Sequence, residues 1–270
     1  SPDPTIGITL PVRIPIGPEP GLLEEPLLSQ YASRRHDVQY DAAAMRAARE
    51  RGDLPPFGGP WFGGLEKDIV WANTVRVYGD ASVAAELTRA EMQARRDVQA
   101  LVAYFRAHVP ALKQARLLHT GLQIGVRETR RLVGEYTLTG HDIRAGVRFA
   151  DSIALGCWPI DVHPSRGEVG CHALYVPLPY EIPYRALLPR EVGGLLVAGR
   201  CISVDREALG SVRVGATCAA TGQAAGVAAA LAARECVEPR DVSVGRLREI
   251  LSAQGALVDL PHGSRNERSR

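Results

Sequence analysis

The chain has 270 residues, of which 46% are hydrophobic and 23% are charged, and its formal net charge is +2. This composition is typical of a globular protein of one or two domains, and the small, evenly spread charge disfavours a nucleic-acid or membrane-surface partner. The five cysteines include no C-x-x-C pair, so neither a disulfide framework nor a metal site is predicted, and a reducing cytoplasm is the expected location. The longest apolar run, residues 224–233, is too short and too small-sided to span a bilayer.

The N-terminal part of the chain predicts one strand, one helix and long loops. Residues 6–16 alternate apolar and polar side chains and predict a strand, which its two prolines would confine to a sheet edge. A helix is predicted to begin after Asp41, its N-cap, and to end at Gly52. Residues 53–65, rich in glycine and proline, predict a loop.

The elements that follow are longer. Residues 69–78 alternate between two faces and predict a strand, and residues 82–108 predict the longest helix, which Pro110 ends. Shorter strand-like pieces come next, at 116–122, 173–178 and 181–185. Residues 243–253 predict a terminal helix, and residues 258–270 predict a flexible tail.

The most informative segment runs from Leu195 to Leu231. Its apolar start, residues 195–199, predicts a buried strand that leads into a tight turn at Gly199. A polar loop and a helix of Ala, Gly, Thr and Val follow, and such small side chains let another group approach the helix backbone. The N-terminus of such a helix offers N–H groups and a positive dipole end to an electron-rich ligand. A tightly packed Ala-rich helix without any ligand would have the same composition.

Several motifs in this part of the chain are long and ordered. They are AGRCIS at 198–203, GSVR at 210–213 and ATGQAAG at 220–226. Four more lie upstream: GVRETRR at 125–131, GEYTLT at 134–139, WPIDVH at 158–163 and IPYRALLP at 182–189. Together they resemble the C-terminal part of a family of FAD-dependent oxidoreductases that have the glutathione-reductase type of flavin fold. The resemblance covers roughly residues 69–257.

One element of that family is missing from the sequence. Its members begin with a strand, a G-x-G-x-x-G turn and a helix, followed about 20 residues later by an acid that holds the ribose. The sequence contains no G-x-G-x-x-G, and its glycine clusters at 57–60 and 62–65 carry proline or aromatic residues where a helix should start. The resemblance therefore implies that the ADP-binding part of the FAD site lies on a separate polypeptide or on a removed segment.

The resemblance also implies the fold class. The chain would be α/β, the C-terminal portion of a two-domain, Rossmann-like FAD-binding fold with a β-rich substrate domain. Residues 1–189 would form the substrate domain, although residues 1–65 match the family poorly. Residues 190–257 would supply a parallel strand and the Ala/Gly-rich helix that complete the FAD-binding domain, with the helix at Gly222 pointing its N-terminus toward the flavin ring.

FAD is the cofactor that the resemblance implies. Backbone N–H groups and fixed positive charge would stabilise the reduced flavin. The residues expected to contact it are Gly199, Arg200, Gly210, Ser211, Arg213, Gly222 and Gln223. For Arg213, a structural salt bridge with Asp205 or Glu207 is an equally weighted alternative.

Candidate catalytic residues follow from the chemistry of hydride transfer, which needs a group to accept a proton from the heteroatom beside the donor carbon. Asp161 and His163 are two residues apart, so in a strand they share one face and can form an acid–base pair. A structural, hydrogen-bonded histidine is the alternative for His163. Tyr184 is a further candidate. Arg127 lies on one face of a predicted strand at 127–131, and one face of that strand could clamp an anionic substrate while the other makes internal ion pairs.

Three functions remain open from the sequence. The favoured one is a subunit of a split, heteromeric FAD-dependent oxidoreductase, which completes the flavin site and forms the pocket for a small organic metabolite. Its partner would be the polypeptide that carries the G-x-G-x-x-G turn. A flavin-dependent oxygenase that uses O2 and a non-catalytic scaffold that has lost the cofactor are the alternatives. For Cys157 and Cys201, three roles stay open: a covalent link to the flavin, a redox-active thiol, or a small buried side chain that only packs.

Overall fold

The computed structural model describes residues 11–15, 38, 40–55, 57–66, 69–162 and 172–260. The chain divides into two compact units, the first comprising residues 1–129 and 164–170 and the second comprising residues 130–163 and 171–270. This boundary differs from the division at residue 189 that the sequence suggests. The reason is that hydrophobic residues of the segment 130–189 share one core with the C-terminal helices.

The first unit contains a four-stranded antiparallel sheet with the strand order β2-β3-β1-β4. Its strands are β1 (Pro11–Pro15), β2 (Phe57–Glu66), β3 (Ile69–Val75) and β4 (His119–Thr120). The first predicted strand is confirmed at β1, but its predicted edge position is wrong, because β1 pairs with β3 on one side and β4 on the other. The short β4 pairs only with Val12 and Arg13, so neither proline lies opposite it.

The loop predicted at residues 53–65 is wrong where β2 forms. Glycine and proline are poor strand formers, but antiparallel pairing with β3 imposes an extended backbone on this stretch. The register shifts between Phe57 and Trp61 and again between Gly63 and Glu66. Such bulges are the places where a strand tolerates glycine and proline, so the pairing overrides local propensity.

The first unit also contains helices α1 (Ala42–Glu50) and α2 (Ala84–His108), both at predicted positions. Asp41 caps α1 as predicted, because its Oδ1 accepts the N–H of Ala44 at 2.9 Å, and Gly52 follows the helix at φ +82°. The core of this unit joins β3 to one face of α2. The helix contributes Ala90, Ala94, Val98, Leu101, Val102 and Phe105.

Asp97 lies on the buried face of α2, and we expect it to make the stability of the first unit depend on pH. Burial raises the pKa of this carboxyl above its ordinary 3.8, and the hydrogen bond from Gln93 Nε2, 2.7 Å long, lowers it by less. The folded unit therefore holds the proton more tightly than the unfolded chain does. The protonated Asp97 carboxyl therefore stabilises the folded unit at low pH. This stabilisation falls as the pH rises from about 3.8 and is lost above the raised pKa of the folded state.

We expect Asp97→Asn to stabilise the first unit near neutral pH, because the variant removes a buried charge and keeps the oxygen that accepts from Gln93. Well below pH 3.8 the wild-type carboxyl is protonated, so the two proteins should melt alike. Thermal melts followed by circular dichroism at both pH values check this. A variant that melts at a lower temperature than wild type at neutral pH would contradict it.

The second unit contains two small antiparallel sheets. One pairs β5 (Ser152–Gly156) with β8 (Tyr180–Pro183), and the other pairs β6 (Ile160–Val162) with β7 (His172–Tyr175). The mixed α/β class is therefore confirmed. The sheets among the described residues are all antiparallel, so the parallel part of the predicted Rossmann-like fold is not seen there.

Four helices complete the described part of the second unit: α3 (Gly140–Ala145), α4 (Arg206–Val212), α5 (Gly215–Glu235) and α6 (Val244–Ala253). The last two confirm the predicted Ala/Gly-rich helix and the predicted terminal helix. Ser243 caps α6, because its Oγ accepts the N–H of Arg246 at 3.4 Å. The core of this unit joins α4, α5 and α6 to β5 and β8, and includes Tyr180, Ile182, Leu209, Ala224 and Leu247.

Helix α5 is the one helix within the described ranges that is long and apolar enough, by length and composition alone, to cross a membrane. It is longer than the apolar run 224–233, because glycine and threonine extend the helix back to Gly215. Its buried residues include Thr221, Ala224 and Leu231, and the last two belong to the core of the second unit. One face of α5 therefore packs in the core, and 33% of its most apolar stretch is buried.

The strand predicted at residues 195–199 is wrong. Residues 195–198 are irregular, and Gly199 begins a short 3-10 turn that ends at Cys201. A parallel strand needs a neighbour along its length. In the part of the chain that the structure describes, the segment has no strand beside it, although the N–H of Val197 donates to the Leu187 carbonyl at 2.9 Å.

Candidate functional site

The turn from Gly199 to Cys201 lies against the N-terminal part of α5. Gly199 has φ +77°, in the left-handed region that favours glycine, and its N–H donates to Thr221 Oγ1 at 3.1 Å. The Thr221 hydroxyl in turn donates to the carbonyl of Cys218 at 3.0 Å. These bonds hold the exposed Arg200 at the surface beside the helix.

Helix α5 begins without a side-chain cap. Its N-cap residue is Val214, which has no side-chain acceptor. The first N–H groups of a helix have no intrahelical partner, and the positive end of the helix dipole is there. Gly215 and Ala216 are exposed, and a Cβ added to Gly215 would meet no atom within 4 Å. This combination of N–H donors and open space suits an electron-rich or anionic group.

Gly222 and Gln223, which the sequence predicts to contact the cofactor, lie about two turns inside α5 rather than at its start. Both are exposed, and Gln223 Nε2 donates to Gln254 Oε1 at 2.9 Å. In the sequence, Val214-Gly215 is the signal for this uncapped helix start. Neither residue has a side chain that can cap the helix, and this is the position where Ser, Thr, Asp or Asn is usual.

Gly210 and Ser211, predicted to contact a cofactor, are buried where α4 packs on the strands. A Cβ on Gly210 would come within 3.0 Å of the Asp161 backbone, so the glycine permits close packing of α4 on β6. The Ser211 hydroxyl donates to the Trp158 carbonyl at 2.5 Å, and the Tyr180 hydroxyl donates to Ser211 Oγ at 2.5 Å. Burial and these bonds give both residues a packing role.

Arg213 forms the salt bridge that the sequence offered as an alternative, but with a different partner. Its Nη2 donates to the Oδ2 and to the main-chain carbonyl of Asp161, each at 2.9 Å. The Arg213 side chain is only 9% exposed. Asp205 caps α4 and Glu207 pairs with Arg144, so neither carries the pairing predicted for it.

The four predicted catalytic residues have different surroundings. Asp161 lies on β6 with its carboxylate in the ion pair just described, and its side chain is 24% exposed. Tyr184 is 1% exposed and donates to the Pro239 carbonyl at 2.7 Å, and burial raises the pKa of its phenol to about 12. Arg127 belongs to the first unit, in an irregular segment rather than the predicted strand. His163 lies outside the described residues.

Two exposed residues precede β6 and were not among the predicted site residues. They are Cys157 and Trp158, and the indole is half exposed although its backbone is fixed through Ser211. An exposed tryptophan offers a flat apolar surface to a ligand. Among the described residues, no group of three or more His, Cys, Asp or Glu side chains could hold a metal ion.

A family model described as FAD dependent oxidoreductase matches residues 23–251, well over half of the chain. No curated protein and no solved structure matches the chain. The family implies FAD as the cofactor. The uncapped start of α5 fits that cofactor in its chemistry, since reduced flavin is electron-rich and the helix start supplies N–H donors.

Proposed function

Because the chain belongs to the FAD dependent oxidoreductase family, we propose that it forms the flavin-ring end of the FAD site and the substrate side of an oxidoreductase. The ADP-binding part would come from a separate polypeptide or a segment outside this sequence. The observation that carries the proposal is the exposed, uncapped start of α5 beside the Gly199 turn.

The residues that would hold the flavin are those at the helix start and the turn. The N–H groups of Gly215 and Ala216 would stabilise negative charge, and Arg200 would add a fixed positive charge. When bound, FAD accepts a hydride from an organic substrate. Gly199, held in its left-handed conformation by Thr221, would keep the turn free of a side chain at that point.

A second feature supports an ADP-binding part from outside the sequence. Residues 195–198 have no strand partner within the described ranges, and α5 exposes a row of small residues at helical spacing. That row contains Gly222, Gly226, Ala229 and Ala233. We propose that the polypeptide with the G-x-G-x-x-G turn covers this face, supplying a strand beside 195–198 and a close-packed partner for α5.

The substrate side is proposed to lie around β6, where Trp158 exposes its indole and Asp161 holds a partly exposed carboxylate. A small organic metabolite, oxidised in the cytoplasm, is the proposed substrate. His163 and Arg127 stay predictions as an acid–base group and a substrate clamp. Tyr184 is the weakest of the predicted catalytic residues, because a buried phenol that donates to a carbonyl is not placed to accept a proton from a substrate.

Affinity purification of the tagged chain from its native host tests the split arrangement, and site variants of the same complex test the helix start. We expect a yellow complex that contains FAD and a second polypeptide with a G-x-G-x-x-G turn, whereas the chain expressed by itself should be colourless. Stoichiometric FAD on the isolated chain would contradict the split arrangement. A colourless native protein without a partner would favour the alternative function, a non-catalytic scaffold that has lost the cofactor.

In that complex, Gly215→Asp should weaken FAD binding roughly tenfold, or about 1.4 kcal/mol, because it puts a negative side chain at the proposed flavin-facing N–H groups. Gly245→Asp is the matched control: Gly245 is also an exposed glycine in the first turn of a helix, α6, and its added Cβ would meet nothing closer than 3.9 Å. Fluorescence titration of the flavin-free complex with FAD measures both. Equal losses in the two variants would contradict the assignment of the site to α5.

A further inference from the structure

Two cysteines of the second unit lie on elements that contact each other, the turn at Gly199 and helix α5. Cys201 ends the 3-10 turn that begins at Gly199, and Cys218 lies in the first turn of α5. A Cβ added to Gly199 would lie 4.0 Å from the Cys218 sulfur, so the turn passes directly beside that thiol. The hydrogen bond from the Gly199 N–H to Thr221, three residues beyond Cys218, holds the turn there.

The two thiols differ in exposure, and the pKa of the Cys218 thiol is shifted. Cys201 is exposed, whereas Cys218 is partly buried, and burial is the largest cause that raises the pKa of the Cys218 thiol. The nearby Arg200 guanidinium lowers that pKa, and the Cys201 thiol raises it again. Cys201 is therefore the sulfur that a reagent from solution reaches first, and Cys218 is the one beside it.

We propose that Cys201 and Cys218 are a redox pair that forms a reversible disulfide between the turn and α5. Each thiol now makes only a weak contact with a carbonyl, Cys201 Sγ with Ala198 at 3.4 Å and Cys218 Sγ with Val212 at 3.7 Å, and the disulfide would replace both contacts. The partner reagent is a low-molecular-weight disulfide. The inference goes beyond the proposed oxidoreductase function and does not depend on it.

The reaction proceeds in two exchange steps. The Cys201 thiolate attacks one sulfur of the small disulfide, whose S–S bond breaks and releases one small thiolate, leaving a mixed disulfide on Cys201. The Cys218 sulfur then loses its proton and attacks the Cys201 sulfur, which releases the second small thiolate. The two protons lost by the cysteines end on the two released thiols. The protein is oxidised by two electrons, and the small disulfide is reduced to two thiols.

Glutathione disulfide is the probe that tests the pair, followed by alkylation of the remaining thiols and tryptic mass mapping without reductant. Cleavage after arginine places the two cysteines on the separate peptides 201–206 and 214–234. We expect these peptides to be joined in the oxidised chain and separate after treatment with reduced glutathione. Cys218→Ser should instead accumulate glutathione on Cys201, whereas Cys201→Ser should accumulate far less on Cys218.

The tryptic map of the oxidised wild-type chain tests the disulfide by itself, even if a serine variant fails to fold. Absence of the 201–206 to 214–234 link under oxidising conditions would overturn the proposal. So would equal linkage of either peptide to those that hold Cys157, Cys171 or Cys236. The exposed Cys236 at the C-terminal end of α5 is the control thiol, and Cys236→Ser should leave the specific link unchanged.

Discussion

Gly156→Ala is expected to destabilise the second unit by about 3 kcal/mol, because the added methyl group overpacks its core. Gly156 lies on β5 directly opposite Tyr180 on β8. A Cβ there would lie 2.4–2.7 Å from the Cζ, hydroxyl and Cε2 atoms of Tyr180, far inside van der Waals contact.

The Tyr180 side chain cannot shift easily to make room for the added methyl group. This side chain is almost fully buried, and its hydroxyl donates to Ser211 Oγ, which is tied to the Trp158 carbonyl. Burial also raises the pKa of the Tyr180 phenol to about 12, so the group stays a neutral donor at physiological pH. Moving the ring would break this chain of hydrogen bonds and leave buried polar atoms without partners.

Urea unfolding followed by circular dichroism, with hydrogen exchange to separate the two units, measures the change. Gly226→Ala is the matched control, since Gly226 lies in the middle of α5 and an added Cβ would meet no atom within 4 Å. That variant should gain about 0.5–1 kcal/mol, because alanine favours a helix over glycine. Similar effects of the two substitutions would show that the Gly156–Tyr180 contact does not limit packing.

Arg213→Met is expected to destabilise the second unit by about 2 kcal/mol. The change removes the cation that faces Asp161, whose side chain is 24% exposed, and leaves a partly buried carboxylate without this partner. Methionine keeps most of the buried apolar volume of the arginine stem. The pair Asp161–Arg213 should therefore show a coupling of at least about 1 kcal/mol in a double-mutant cycle with Asp161→Asn.

The exposed pair Arg246–Glu249 is the control for that cycle. It has a similar distance of 3.1 Å, but its side chains are 60% and 69% exposed, so its coupling should stay below about 0.5 kcal/mol. The two couplings would be equal if burial contributed nothing to the Asp161 pair. In the assembled enzyme, Asp161→Asn also distinguishes a catalytic from a structural role for this carboxylate. If Asp161 is catalytic, kcat should fall by more than the loss of stability explains; if it is only structural, it should not.

Local features of the sequence predicted the ends of several helices correctly. Asp41 and Ser243 lie where a polar side chain precedes a helical pattern, and both accept the backbone N–H three residues ahead. Pro110 follows the long helix α2, which ends at His108. Capping and helix termination depend on residues within one turn of each other, so the order of residues alone is enough to predict them.

Contacts between distant residues explain the predictions that failed. The loop assigned to residues 53–65 becomes β2 only because β3 pairs with it, and the strand assigned to 195–199 has no neighbour to pair with in the described part of the chain. Contact with a cofactor stays a prediction for Gly210, and the structure adds that this glycine lets α4 pack closely on β6. A glycine that permits close packing and one that faces a ligand look the same in a sequence.

The sequence by itself determined the family, the cofactor class and most helices, since these depend on ordered motifs and on patterns within a few residues. Only the tertiary structure decided that Arg213 neutralises Asp161, that Tyr184 and Ser211 are buried, and that the open helix start is at Gly215. Ion pairs and burial are set by which distant segments meet. That choice comes from the packing of the whole unit, which no short stretch of sequence contains.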